Sequence, residues 1–82
     1  MIVLGLAKVK IVAYGKIRLY LGESFRDEVL VEEGSSVRDL YEILGKPRKE
    51  IWMANVNGLL ANEKAVLNDG DEVSIFEPVG GG

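Results

Sequence analysis

The chemistry-bearing part of this sequence is its end, Phe76-Glu77-Pro78-Val79-Gly80-Gly81-Gly82. Glycine has no Cβ, so a glycine run can be drawn straight and pass a constriction that stops any other residue. Three extended residues reach about 10 Å. The reactive group offered is the α-carboxyl of Gly82, with Gly80 and Gly81 as a slender tether. Glycine-rich ends also occur as inert tails and as cloning scars. The tail alone leaves both readings open, and the preceding residues have to decide between them.

The rest of the composition removes most alternatives. The chain of 82 residues is 48% hydrophobic and 28% charged, which suits one globular domain. There is no Cys, hence no disulfide, thiolate nucleophile or thiolate metal site, and no His, the usual general base and transition-metal ligand. The serines, Ser24, Ser35, Ser36 and Ser74, lie in no nucleophile-elbow pattern. Asp69 and Asp71 lack the alternating acids and closing Glu of a Ca²⁺ loop and read as turn residues. A net charge of −3, from 13 acids and 10 bases, argues against nucleic acid. Lys8, Lys10, Lys16 and Arg18 cluster in sequence and read as a solvated face. The apolar start MIVLGLA has neither a basic segment before it nor a cleavage pattern, and no stretch is long enough for a membrane span. The expectation is a soluble cytoplasmic protein with no metal or bound cofactor, a carrier or co-substrate rather than a catalyst.

The elements that would hold the tail follow from hydrophobic period. Residues 8–14 alternate with Val9, Ile11 and Ala13 on one face and predict a strand, which Ile2, Leu4 and Leu6 could extend toward the N-terminus. Residues 16–22 fit a strand through Ile17, Leu19 and Leu21, or a helical turn through Ile17, Tyr20 and Leu21. Residues 25–32 predict a second strand with Val29 and Val31 inward, antiparallel to the first. Ser36 then caps a helix whose apolar stripe is Val37, Leu40, Tyr41 and Leu44, stopped by Gly45 and Pro47. Residues 52–57 form a third strand, Asn57-Gly58 a hairpin turn, and residues 59 to about 63 a return strand. Asn68 to Asp71 predict a tight turn with Gly70 at positive φ. Residues 73–79 form the last strand, with Val73 and Ile75 inward, Phe76 pointing the other way and Pro78 closing it. One main helix across one face of a mixed four- to five-stranded sheet satisfies both apolar surfaces. This is an α+β, ubiquitin-like β-grasp, comprising residues 1–79 with residues 80–82 as a flexible tail.

The stretch Val56 to Gly82, VNGLLANEKAVLNDGDEVSIFEPVGGG, closely resembles the C-terminal third of the MoaD/ThiS family of sulfur carriers. The match rests on Val56-Asn57-Gly58, on Asn68-Asp69-Gly70-Asp71-Glu72-Val73, and on the terminal Gly81-Gly82. Tyr14-Gly15-Lys16-Ile17-Arg18 with Gly22 looks like the short helix after the first strand on the molybdopterin side of the family. Glu77-Pro78-Val79 looks like that side's Pro-Pro-Val, with Glu77 where proline is usual; a triple-glycine end is commoner among thiamine carriers. The resemblance implies that an ATP-dependent activating enzyme of the MoeB/ThiF type joins the Gly82 carboxylate to AMP, using MgATP. A persulfide donor then displaces AMP and leaves a thiocarboxylate. Gly80 and Gly81 would thread the enzyme's channel. Phe76, Pro78 and Val79 would belong to the docking surface, with Leu59 and Leu60 extending it. Phe76 equally fits an unremarkable exposed aromatic. The sulfur acceptor implied is the molybdopterin synthase large subunit, with thiazole synthase as the alternative. Two other functions fit the same residues: a ubiquitin-like modifier joined through Gly82 to lysines, and a β-grasp interaction module with an inert tail.

Overall fold

A computed structural model describes residues 5–22 and 27–78. The elements are β1 (Leu6–Ala13), α1 (Gly15–Leu21), β2 (Glu28–Glu32), α2 (Val37–Leu44), β3 (Met53–Val56), β4 (Leu59–Ala61) and β5 (Glu72–Phe76). They build one five-stranded mixed sheet in the order β2-β1-β5-β3-β4. β1 and β5 run parallel at its centre and the other pairs are antiparallel. The expected arrangement is present, with the fifth strand formed and a second helix added.

β1 and β5 form because their residues alternate. Ala7, Val9 and Ile11 of β1 and Val73 and Ile75 of β5 are buried on one face, while Leu6, Lys8 and Lys10 point away from it. The expected extension of β1 through Leu6 is therefore out of phase. Odd-numbered positions face the core, so Ala7 continues the stripe and Leu6 is 58% exposed. Ile2 and Leu4 lie outside the described residues, as do residues 25 and 26 of the expected second strand. Val31 is buried and Val29 packs at the core margin, as the alternation requires.

The segment 16–22 resolves as helix through Leu21, with Gly22 at φ +75° as its cap. Gly15 turns the chain at φ +57°, and Tyr14 in extended geometry precedes the first helical residue. A strand would have aligned Ile17, Leu19 and Leu21; instead Ile17 is fully buried, Leu21 packs against the core and Leu19 is 80% exposed. Tyr20 is half exposed, but its hydroxyl donates to Gly45 O and its ring meets Trp52 edge-on at 6.2 Å. α1 is thereby tied to the end of α2.

α2 is specified at both ends. Ser36 Oγ accepts from Asp39 N–H at 3.3 Å, and Ser36 N–H donates to Asp39 Oδ2 at 2.9 Å, a reciprocal cap worth about 1 kcal/mol. Val37 and Arg38 N–H donate to Ala65 O and Glu63 O, so the loop after β4 satisfies two further donors of the first turn. Gly45 ends the helix in the left-handed region. The buried stripe Val37, Leu40 and Tyr41 packs over the sheet with Leu67 and Trp52. Trp52 lies just before β3 rather than within it; its ring stands edge-on to Tyr41 at 5.5 Å and Nε1–H donates to Glu50 Oε1.

Three boundaries fall short of expectation. β3 stops at Val56, because Asn57 (φ 53°) and Gly58 (φ 84°) form the tight turn. β4 ends at Ala61 rather than near residue 63, where the backbone turns to serve the start of α2. β5 ends at Phe76, ahead of Glu77 and Pro78, since a proline cannot donate to the ladder.

Candidate functional site

The site begins where β5 ends. Ala13 pairs with Ile75 on the covered face, and Tyr14 N–H donates to Ile75 O at 3.2 Å. That contact holds Tyr14, 55% exposed, beside the terminal residue of the strand. Phe76 has the opposite parity to Ile75 and is half-buried on the uncovered face, in register with Met53 of β3. Pro78 is exposed. Val79, Gly80, Gly81 and Gly82 lie outside the described residues, so the carboxyl group and its tether enter the argument through their sequence alone.

The uncovered face divides by chemistry. Toward the start of β5 it carries Lys10 and Glu72, 3.9 Å apart as an exposed ion pair. Toward its end it carries Val12, Ser74, Met53 and Phe76. Leu60 pairs with Asn55 and so shares this face; it is 67% exposed. Leu59 pairs with Val56, which belongs to the covered side, so the two leucines of the expected patch separate. The strip is thus Leu60, Met53, Phe76 and Tyr14, a short apolar run leading to the exposed Pro78. Sequence reasoning missed Tyr14 and Met53. Parity carried the signal, since residues 8, 10, 12 and 14 continue one face of β1, and Met53 precedes the inward Ala54.

Two turns lock β3, β4 and β5 together. Asn57 N–H donates to Glu72 O at 2.8 Å, Glu72 N–H to Asn57 Oδ1 at 2.9 Å, and Asn57 Nδ2 to Asp71 Oδ1 at 2.9 Å. Asp71 Oδ2 also accepts from Asn68 N–H, and Asp69 Oδ1 from Lys8 N–H, each at 2.8 Å. Both aspartates act as turn residues, with Gly70 at φ +88°. Among the described residues no group of three or more acids or other donors could hold a metal ion. No described helix is long and apolar enough to cross a membrane.

On the helix side, Tyr41 lies against a groove lined by Arg38, Glu42, Lys46, Arg48 and Glu63. Burial, and then the charge of Glu63, push its phenol up to about 12. The group stays neutral at working pH and is a structural rather than a reactive phenol. Because the folded state holds the proton more tightly than the unfolded one, whose phenol titrates near about 10, its stability contribution is intact below pH ~10 and is lost as pH climbs toward ~12. Tyr41→Phe is expected to flatten that part of the stability profile, as urea midpoints measured at pH 9 to 12 on both proteins would show.

Residues 11–82 match the ThiS family. A molybdopterin synthase sulfur carrier subunit of Mycobacterium tuberculosis is 37% identical, over 92% of this chain and 98% of the relative. A molybdopterin converting factor subunit 1 from Pyrococcus furiosus superimposes with a TM-score of 0.70 at 31% identity, over 89% of this chain and 99% of the other. The complex of subunits 1 and 2 of the molybdopterin-converting factor from Helicobacter pylori matches with a TM-score of 0.55 at 25% identity, over 92% and 99% of the two chains.

Proposed function

The chain belongs to the ThiS family, and from that membership we propose that it is a sulfur carrier whose C-terminal glycine becomes a thiocarboxylate for molybdopterin synthesis. The observation that carries the reading is the course of β5. Its last residue, Phe76, sits in an apolar strip on the open face, and three residues later the sequence reaches Val79 and then three glycines. A rigid docking face and a Cβ-free tether thus follow one another, which suits delivery of a terminal group into a partner's interior.

A free carboxylate is a poor acyl donor, because its leaving group would be oxide or hydroxide. In the proposed reaction a carboxylate oxygen of Gly82 attacks the α-phosphorus of MgATP on an activating enzyme and releases pyrophosphate. The mixed anhydride has AMP as a good leaving group. A persulfide sulfur on a donor protein then attacks the carbonyl carbon and AMP departs; reductive cleavage of the S–S bond by a thiol leaves the thiocarboxylate. This chain supplies the acyl group and the docking surface, and the catalytic groups belong to the partners. The Helicobacter pylori complex supports a large subunit as the acceptor that receives the tail. The relative from Mycobacterium tuberculosis favours the molybdopterin acceptor over the thiamine one.

Intact mass tests the reading. With MgATP, a MoeB/ThiF-type enzyme and a persulfide source, the protein should gain the difference between sulfur and oxygen, about 16 Da, localised to Gly82. An unchanged mass, with the enzyme active on another carrier, would overturn it. Recovery of Gly82 as an isopeptide on lysines of other proteins would replace it with the modifier reading.

A further inference from the structure

At the edge of the sheet away from β4, β2 has one described neighbour, β1. Two hydrogen bonds set the phase of that pair: Glu33 N–H donates to Gly5 O at 3.0 Å and Ile11 N–H to Asp27 O at 2.6 Å. Bonded pairs in an antiparallel ladder recur at every second residue. With the observed register, Ala7/Val31 and Val9/Val29 are therefore the bonded pairs between them. The backbone N–H and C=O groups of Glu28, Leu30 and Glu32 consequently point outward, where no described strand lies; of these, the Glu32 C=O already accepts from Ser35 N–H at 3.0 Å.

Natural edges are commonly blunted by lysine, proline or a bulge. β2 has none of these. Residues 27–33 read Asp-Glu-Val-Leu-Val-Glu-Glu, four acids and no base. Between β2 and α2 runs a groove of about 600 Å³ whose ionisable lining residues, Glu32, Asp39 and Glu42, are all acids. Ile43 and Leu30, also lining it, are 55% and 57% exposed. The edge thus offers outward N–H groups at Glu28, Leu30 and Glu32, apolar contacts, and acids along its outermost strand, with Lys8 and Lys10 one strand inward.

We propose that the β2 edge accepts an extended segment of a partner protein, carrying lysine or arginine at alternate positions, by strand addition. Main-chain bonds to Glu28, Leu30 and Glu32 would supply the attachment, and the side chains the selection. Basic residues at alternate positions lie beside Glu28, Leu30 and Glu32, the middle one laying its methylene stem along Leu30, and the remaining, apolar residues turn toward Ile43 and Glu42. A second copy of this chain is disfavoured, because two β2 edges laid together oppose acid to acid. β2 lies two strands from β5, about 10 Å away. The segment would leave the Phe76 strip free, and the inference does not depend on the sulfur-carrier reading.

The test is amide NMR of the ¹⁵N-labelled full chain titrated with a short alternating lysine–valine peptide, with a glutamate–valine peptide as control. The expected result is shifts and new exchange protection at Glu28, Leu30 and Glu32, weakening as salt is raised. A Glu28→Lys/Glu32→Lys variant should bind the basic peptide about tenfold or more weakly while the amide spectrum outside β2 stays that of the parent. Leu30→Pro, which removes an outward N–H, should abolish protection while the rest of the spectrum stays folded. Equal binding of the acidic peptide, shifts confined to Met53, Leu60 and Phe76, or no shift at millimolar peptide would overturn the proposal.

Discussion

Gly81→Ile is expected to leave the domain folded and to lower thiocarboxylate formation on the order of a hundredfold, the penalty typical of reacting atoms held about 1 Å out of place. The argument is steric. In the proposed reaction the Gly82 carboxylate would reach the α-phosphate of ATP inside a partner, and the preceding residue would have to pass a passage shaped for backbone alone. A β-branched side chain widens the chain there and narrows its φ/ψ range, so an extended threaded conformation meets both a clash and lost freedom. Nothing in the described core involves residue 81, so the urea midpoint should match the parent. Single-turnover mass spectrometry reads the rate. Binding to the activating enzyme, measured separately, should change little, which distinguishes a blocked tether from lost binding. A rate within twofold of the parent would show that the tail does not pass a narrow channel.

Local signals carried most of the fold. Ser36 with Asp39, Asn57 with Gly58, and Asn68 through Asp71 were legible because a cap or tight turn is decided by neighbours in sequence, and each appears at its expected position. Segment 16–22 was not legible, because seven residues satisfy period two and period 3.6 equally. Ile17 and Tyr20 settle it only through distant partners, the core and the Gly45 carbonyl. The cluster of Tyr20, Trp52 and Tyr41 joins three segments and has no signature in any one of them. In the apolar strip, Phe76 was readable from the parity of β5. Leu59 and Leu60 were not separable, since on a short edge strand both side chains are exposed and only the register with Val56 and Asn55 tells their faces apart. The order β2-β1-β5-β3-β4, which makes β2 an acidic free edge, is a property of long-range pairing.

Ile75→Ala is expected to destabilise the fold by about 2–5 kcal/mol, the range for truncating a buried isoleucine. Ile75 is fully buried on the central strand, between Ala13 of β1 and Ala54 of β3. Both neighbours in the ladder are alanines, so no flanking side chain can extend into the space that the lost atoms leave, and collapse would have to come from the helix layer. A domain of 82 residues has a total stability of about 4–12 kcal/mol, so this one truncation removes a large fraction of it. The functional consequence follows from position. Phe76 is the next residue and the glycines begin four residues beyond it in sequence, so fraying of β5 would disturb the apolar strip and, in the proposed function, the presentation of the tail. Urea unfolding should show a lower midpoint with an unchanged slope, and Ile75→Val, which deletes one methyl group, should cost only about 0.5–1.5 kcal/mol. A loss under about 1 kcal/mol for Ile75→Ala would mean that the helices, rather than the central strand pair, set the stability of the platform.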